Sequence, residues 1–339
     1  MPPGGTAWVV SAPLPMASPA SAPSPRRLPP EERLVASLIT LLEAGTAPWR
    51  RPWDVSAGGH HVHLLSGRPY RGSNPVLLTL GMHLRGSSLP WWCGFAEARS
   101  RGLHPQRGSR AVHVLQPVRV PHSQEPVPPA GTTSLDSSDP LPPVRFRPVA
   151  VFNVADLEGP ALPELIAVRR AAAGRTCRSE PERLAAAEAV LQAWPVPVHH
   201  GGERAYYQPC SDRIHLPERS AFHSSAALYA TWAHEAIHST GHPSRLARNL
   251  SGSPDGPEAA QRAYAREELV AELGAVLLGD RLEIGSEVSH HAAYLSHWVS
   301  MLRESPRLLQ EVLGEARRAA DQIVAEPAVE PAPQTSKAA

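Results

Sequence analysis

The chain has 339 residues, enough for about two domains, and 42% of them are hydrophobic, enough to bury a core. A formal net charge of +1 supplies no overall field that would draw it to nucleic acid, and no run of about 18 apolar residues is present to span a membrane. Three cysteines, Cys93, Cys177 and Cys210, are too few and too scattered for a disulfide framework or a thiolate metal site, which predicts a reducing, cytoplasmic setting.

Residues 1–30 are rich in Pro, Ala and Ser and read as a disordered tail without the features of a secretory signal. Residues 31–44 predict a short amphipathic helix with Leu34, Leu38, Leu41 and Leu42 on its apolar side. Four of the eight Trp follow, at Trp49, Trp53, Trp91 and Trp92, among Arg50, Arg51, Arg68, Arg71, Arg85 and Tyr70. Residues 26–125 hold 13 Arg against 6 acidic residues, so the small overall charge hides a basic N-terminal region. Aromatic faces that stack bases beside Arg that meets phosphates are the usual mixture for single-stranded nucleic acid. The competing reading is that these Trp are core residues of a small domain.

Residues 117–145, rich in Pro, Ser and Asp, predict a long loop or insertion, and 146–158 return to strand character. A helix is expected over 180–194, and two short strands around a Pro-Cys-Ser-Asp turn over 203–217. That hairpin could offer an edge strand to an extended peptide. Ser224 to His242 reads as a helix, with Ser224 or Ser225 as N-cap, Leu228, Trp232 and Ile237 as apolar support and Gly241 as C-cap. A further helix is expected from Pro257 to Leu278, one or two more over 290–324, and a frayed tail over 325–339.

The segment His234-Glu235-Ala236-Ile237-His238 carries the clearest chemistry. Two His four residues apart lie on one helical face and can grip one ion, while Glu235 stands ready as the general base for a water that the ion activates. The bland alternative is two surface histidines on an amphipathic helix. A catalytic zinc takes three protein ligands and keeps one position open, so a third ligand is needed. Glu268 and Glu272 are four apart beside Ala271 and Ala275; Glu268 is assigned to the metal and Glu272 to orienting a ligand His, His234 by preference. The reverse assignment is open, and Glu267, His242 and Asp212 are further candidates. Zinc suits this donor set, though other divalent metals are accepted by such sites. An oxyanion donor could come from Tyr206, Tyr207, Tyr264 or His242.

Taken in order, Pro48-Trp49-Arg50-Arg51-Pro52-Trp53, Gly67 to Asn74, Val151-Phe152-Asn153-Val154, His234 to His238 with Thr240-Gly241-His242, and Glu267 to Glu272 resemble the ArdC-type antirestriction proteins. The resemblance runs from about residue 31 to about 324. It implies an α+β chain with an N-terminal single-stranded-DNA-binding domain over 31–160 and a zincin-like metallopeptidase domain over 180–324. It implies His234, His238 and Glu268 as metal ligands and Glu235 as general base. It also implies DNA contacts in the 48–92 region, with Trp49, Arg50, Arg51, Trp53, Arg68, Tyr70 and Arg71 as candidates, and a role in shielding transferred DNA from host restriction. Two departures stand out: His104 to Arg110 replaces a more basic stretch, and Asp156 stands where a Gln is expected. Three functions follow as expectations: a DNA-associated metallopeptidase acting on an unidentified protein or peptide, a non-catalytic DNA shield with a structural metal module, and a general peptidase without DNA.

Overall fold

A computed structural model describes residues 30–45, 60–119, 144–176, 178–250, 256–285 and 295–325 and has the mixed helix and strand content that the sequence predicts. Trp49, Arg50, Arg51 and Trp53 lie outside the described residues, as do the tails apart from Pro30 and Ala325. The first helix, α1 (Pro30–Glu43), turns Val35, Leu38 and Leu42 inward, matching the expected amphipathic pattern.

The N-terminal region is built on a sheet of four strands, β1 (Val62–His63), β2 (Trp91–Gly94), β4 (Val112–Arg119) and β5 (Val144–Asn153), in the order β1-β2-β5-β4. Adjacent residues of a strand face opposite ways, so Trp91 and Trp92 enter different cores. Trp91 packs with Leu64, Leu103 and Leu157, and Trp92 with Leu78, Met82 and Val112. Both are fully buried, which decides for core packing and against base stacking at these two positions. The two ends of the stretch expected as a loop at 117–145 are strand, and 120–143 lie outside the described residues. Pro117 pairs with Phe146, Val118 with Arg145 and Arg119 with Val144, extending the β4–β5 hairpin. Pro117 is tolerated because β4 is an edge strand, and Pro148 because β2 covers only Val151 to Asn153 of β5.

Between β1 and β2 lies α2 (Asn74–His83), which the sequence reading did not anticipate. Pro75 to Met82 are all buried, so the helix shows no amphipathic period to detect. One side of α2 meets the sheet through Leu78 and Met82; the other meets the C-terminal helices through Val76, Leu77 and Leu80. Asn74 clamps it to β4, donating to Leu115 O at 3.0 Å and accepting from Leu115 N at 2.7 Å. A short helix α3 (Phe95–Ser100), a two-stranded pair β3 (His104–Pro105) and β6 (Leu157–Glu158), and α4 (Leu162–Thr176) complete this region.

In the C-terminal region α5 (Glu180–Ala193) precedes a three-stranded sheet of β7 (Val198–His200), β8 (Tyr206–Gln208) and β9 (Arg213–Leu216), ordered β7-β9-β8. The expected hairpin is therefore β8 and β9, joined by a turn at Pro209–Ser211. Helices α6 (Ser225–Ser239), α7 (Pro257–Leu282), α8 (Leu295–Glu304) and α9 (Leu308–Ile323) follow. One apolar core joins these helices to α5, the sheet, α2 and α1. Residue 160 therefore does not divide the packing: α1 precedes the N-terminal sheet but buries its leucines among the C-terminal helices.

Candidate metal centre

Helix α6 forms because Ser224 caps it, its side chain accepting from Ala227 N at 3.1 Å, and because five alanines favour the helix. It ends without the left-handed glycine the sequence suggested: Thr240 closes it at φ −62°, and no positive φ occurs at Gly241. Gly241 lies in a tight space instead, since a Cβ there would sit 2.7 Å from Leu250 Cδ2 and 3.1 Å from His238 O. The neighbouring helix α7 crosses closely because a Cβ on Gly274 would sit 2.7 Å from Ile237 Cγ2. Helix α7 also runs past its expected end at Leu278. Gly279 continues it because its missing side chain leaves room for the returning Gly285 carbonyl.

This close crossing brings His234, His238 and Glu268 together, with one donor atom from each inside 4.8 Å of the others. His238 Nε2 lies 3.1 Å from His234 Nε2, His238 Nε2 lies 3.6 Å from Glu268 Oε1, and His234 Nε2 lies 3.7 Å from Glu268 Oε2. Ligands about 2.0–2.1 Å from a tetrahedral ion stand about 3.3–3.4 Å apart, so these three donors fit a single ion. Burial works against a charged His234, but Glu268, Glu235 and Glu272 outweigh it and raise its pKa to about 9. Burial likewise opposes an ionised Glu268, and His234, His238 and Tyr264 prevail to hold it down to about 2. Glu235, next to His234 in the chain, is itself buried.

The carboxylates around the histidines divide differently from the sequence assignment. Glu272 faces His234 as expected, but Oε2 is 3.8 Å from Nδ1, ion-pair range rather than hydrogen-bond range. Glu267, a spare ligand candidate in the sequence, takes the orienting role at the other histidine, with His238 Nδ1 3.2 Å from its Oε1. Arg248 grips Glu267, and nothing in its sequence neighbourhood pointed to it. His242 and Asp212 stay outside the cluster: His242 Nδ1 lies 2.7 Å from Ser244 Oγ, and Asp212 pairs with Arg245. Of the four oxyanion candidates, Tyr207 donates to Asp212 at 2.7 Å and Tyr206 stacks on His215, while the Tyr264 hydroxyl reaches Glu268.

A second group, His63, Cys93 and Glu97, also converges among the described residues. His63 and Glu97 are already engaged. Ser66 N donates to His63 Nδ1 at 3.2 Å, His63 Nε2 lies 2.8 Å from Glu97 Oε2, and Gly94 N donates to that same oxygen at 3.3 Å. Burial, then Glu97, pushes the Cys93 thiol up to about 12, which disfavours the thiolate that a metal needs.

Several residues read as possible DNA contacts have structural partners. Arg85 pairs with Asp156, donates to Gly81 O at 2.6 Å and lies 5.9 Å over Trp92. Asp156, the departure noted in the sequence, thus provides this arginine with its partner. Asn153, part of a motif that carries the resemblance and not a DNA-contact candidate, donates to Leu89 O at 2.9 Å and accepts from Ser87 and Ala155, so it fastens the end of β5. Tyr70 packs against the Trp92 cluster, with burial raising its hydroxyl pKa. Arg68 is exposed and Arg71 half-buried.

Comparison with known proteins places this geometry in context. A family model described as zincin-like metallopeptidase matches residues 185–314, and one described as the N-terminal domain of anti-restriction factor ArdC matches residues 30–134. The chain is similar to the metal-free crystal structure of the antirestriction ArdC protein from plasmid R388, with 30% identity and a TM-score of 0.60, covering 86% of this chain and 96% of that one. A Mn(II)-bound structure of the same protein gives 29% identity and a TM-score of 0.59 over the same shares, 86% and 96%. It is also 34% identical to an Escherichia coli DNA primase TraC over 88% of this chain but only 27% of the primase, so it spans about a quarter of that relative's length.

Proposed function

Because the chain belongs to the ArdC-type antirestriction proteins, we propose that it is a DNA-associated metallopeptidase in which His234, His238 and Glu268 hold a divalent metal and Glu235 moves the proton. The observation that carries this reading is the convergence of three donor atoms from two helices beside a buried glutamate. A divalent ion held there supplies a Lewis acid that polarises the scissile carbonyl and makes a water acidic. Glu235 accepts the proton from the attacking water and delivers it to the leaving amine nitrogen. The Tyr264 hydroxyl, which hydrogen-bonds Glu268, is the candidate assigned as donor to the developing oxyanion. An extended peptide would add along β8, the edge strand beside α6.

Zinc fits two imidazoles and a carboxylate, and the Mn(II)-bound relative supports a site open to other divalent ions. Single-stranded DNA is the proposed partner of the basic N-terminal region, with Trp49, Arg50, Arg51, Trp53, Arg68 and Arg71 as the candidate contacts. The match to the ArdC N-terminal domain supports this, and cysteine usage supports work in the reducing cytoplasm. Among the described residues no helix is long and apolar enough to cross a membrane.

Glu235→Gln tests the proposal. Expected are parental metal content, parental binding of a single-stranded oligonucleotide at low salt, and proteolysis reduced by about 10²–10⁴-fold. If protection of transferred DNA persists undiminished in that variant and the parent chain cleaves no protein with metal bound, the chain is a shield and not a peptidase.

A further inference from the structure

Arg248 occupies an unusual position for a surface-loop residue: its side chain is only 7% exposed. It donates from Nε to Glu267 Oε2 at 2.9 Å and from Nη2 to Glu267 Oε1 at 2.8 Å, a two-pronged grip on one carboxylate. The same guanidinium donates from Nη1 to Thr240 Oγ1 at 2.7 Å and from Nη2 to Ile237 O at 2.9 Å. Ile237 O belongs to the last turn of α6 and already accepts from Thr240 N at 3.1 Å and Thr240 Oγ1 at 2.6 Å, so Arg248 adds a further donor at the end that Gly241 was expected to close.

The loop is shaped around this side chain. Ala247 adopts φ +50°, a conformation that costs an alanine free energy, immediately before Arg248. Arg248 N donates to Gly241 O at 2.9 Å, and a Cβ on Gly241 would sit 3.1 Å from Arg248 Nη2. Glu267 in turn meets His238 Nδ1 at 3.2 Å, while His238 Nε2 faces His234 and Glu268. A carboxylate at Nδ1 keeps the proton on that nitrogen and leaves the Nε2 lone pair for a metal. His234 lacks an equal arrangement, since its Nδ1 makes no hydrogen bond.

We propose that Arg248 is the positioning residue of the metal centre: it fixes Glu267, which fixes the ring and tautomer of His238, and so makes His238 the preformed ligand of the pair. The inference rests on the metal site proposed above. Arg248 touches neither substrate nor metal and acts only through Glu267.

The test is titration of the full chain with cobalt(II) under chelator competition, following its visible absorption, beside thermal melts of the metal-free protein. Arg248→Met and Glu267→Met are each expected to weaken cobalt binding by about 10–100-fold and to alter the absorption band. Arg248→Lys, which keeps the charge without the fork, recovers part of the loss. The double variant Arg248→Met/Glu267→Met leaves no buried charge unpaired, so its metal-free melting recovers toward the parent while its cobalt affinity stays low. A purely structural role for Arg248 predicts the opposite, affinity returning with stability, and that result overturns the proposal. Parental affinity and absorption in Arg248→Met also overturn it; should that variant not fold, the same result in Arg248→Lys does so. A parent chain that takes up no cobalt removes the metal site and this inference together, whereas parental uptake with indifferent variants removes the inference alone.

Discussion

Asp212 shows how single residues set conditions around the centre. It sits at φ +45°, a left-handed conformation that Asp and Asn tolerate, and there it meets both Arg245 and the Tyr207 hydroxyl. The hydrogen bond from Arg245 chiefly holds its carboxyl below the ordinary value, against the opposing effect of burial. A folded pKa below the unfolded value of about 3.9 contributes stability that is fully present above that value and lost as pH falls through the folded one. Melting temperature from pH 6 down to pH 2 should therefore fall more steeply in the parent than in Asp212→Asn, which keeps the backbone preference but has no charge to lose. At pH 7 the same variant should be less stable by about 1–3 kcal/mol, because Arg245 loses its ionised partner. At the centre itself, His234→Ala and Glu268→Ala should each lower bound metal in purified protein; equal metal in both and the parent would remove the site.

At the scale of elements, the decisive contact is the crossing of α6 and α7. Gly274 and Ile237 set its spacing, and that spacing lets Glu268 of one helix face the histidines of the other. Gly274→Val would push the branched Ile237 side chain and separate the helices. The expected cost is about 1–3 kcal/mol in a denaturant melt, together with weaker metal binding. Gly279→Ala should also destabilise, since its new Cβ would strike the Gly285 carbonyl, but it lies beyond the ligand-bearing turns. Metal affinity measured for both separates a loss of helix spacing from a general loss of stability.

For the whole molecule, the apolar core runs through both halves of the sequence. Leu38 and Leu42 of α1 and Val76, Leu77 and Leu80 of α2 meet Leu269 and Leu273 of α7, Leu302 of α8 and Leu309 of α9. Arg303 of α8 pairs with Glu43 of α1 across the same junction. A fragment beginning at residue 178 would leave the leucines of α7, α8 and α9 uncovered. It should bind a hydrophobic dye and melt well below the full chain; a fragment as stable as the parent would show the two halves to be independent.

Local pattern is enough to fix the helix that carries His234, Glu235 and His238 and the neighbouring helix that carries Glu267, Glu268 and Glu272. Periods, caps and motif spacing are local, and the residues concerned lie within a few turns of each other. Composition also sets the basic character of the N-terminal region, because charge can be counted without a fold. Which glutamate serves which nitrogen came from the tertiary structure, because only the crossing of α6 and α7 shows that Glu267 meets His238 Nδ1 while its neighbour Glu268 faces the Nε2 atoms of both rings. That structure alone revealed α2, buried on every side and so without a period to read, and turned Trp91, Trp92 and Arg85 from possible DNA contacts into structural pins. Arg248 belongs with these: its role depends on a loop that returns 10 residues after His238 to meet a carboxylate 19 residues further on, a relation that no local pattern records.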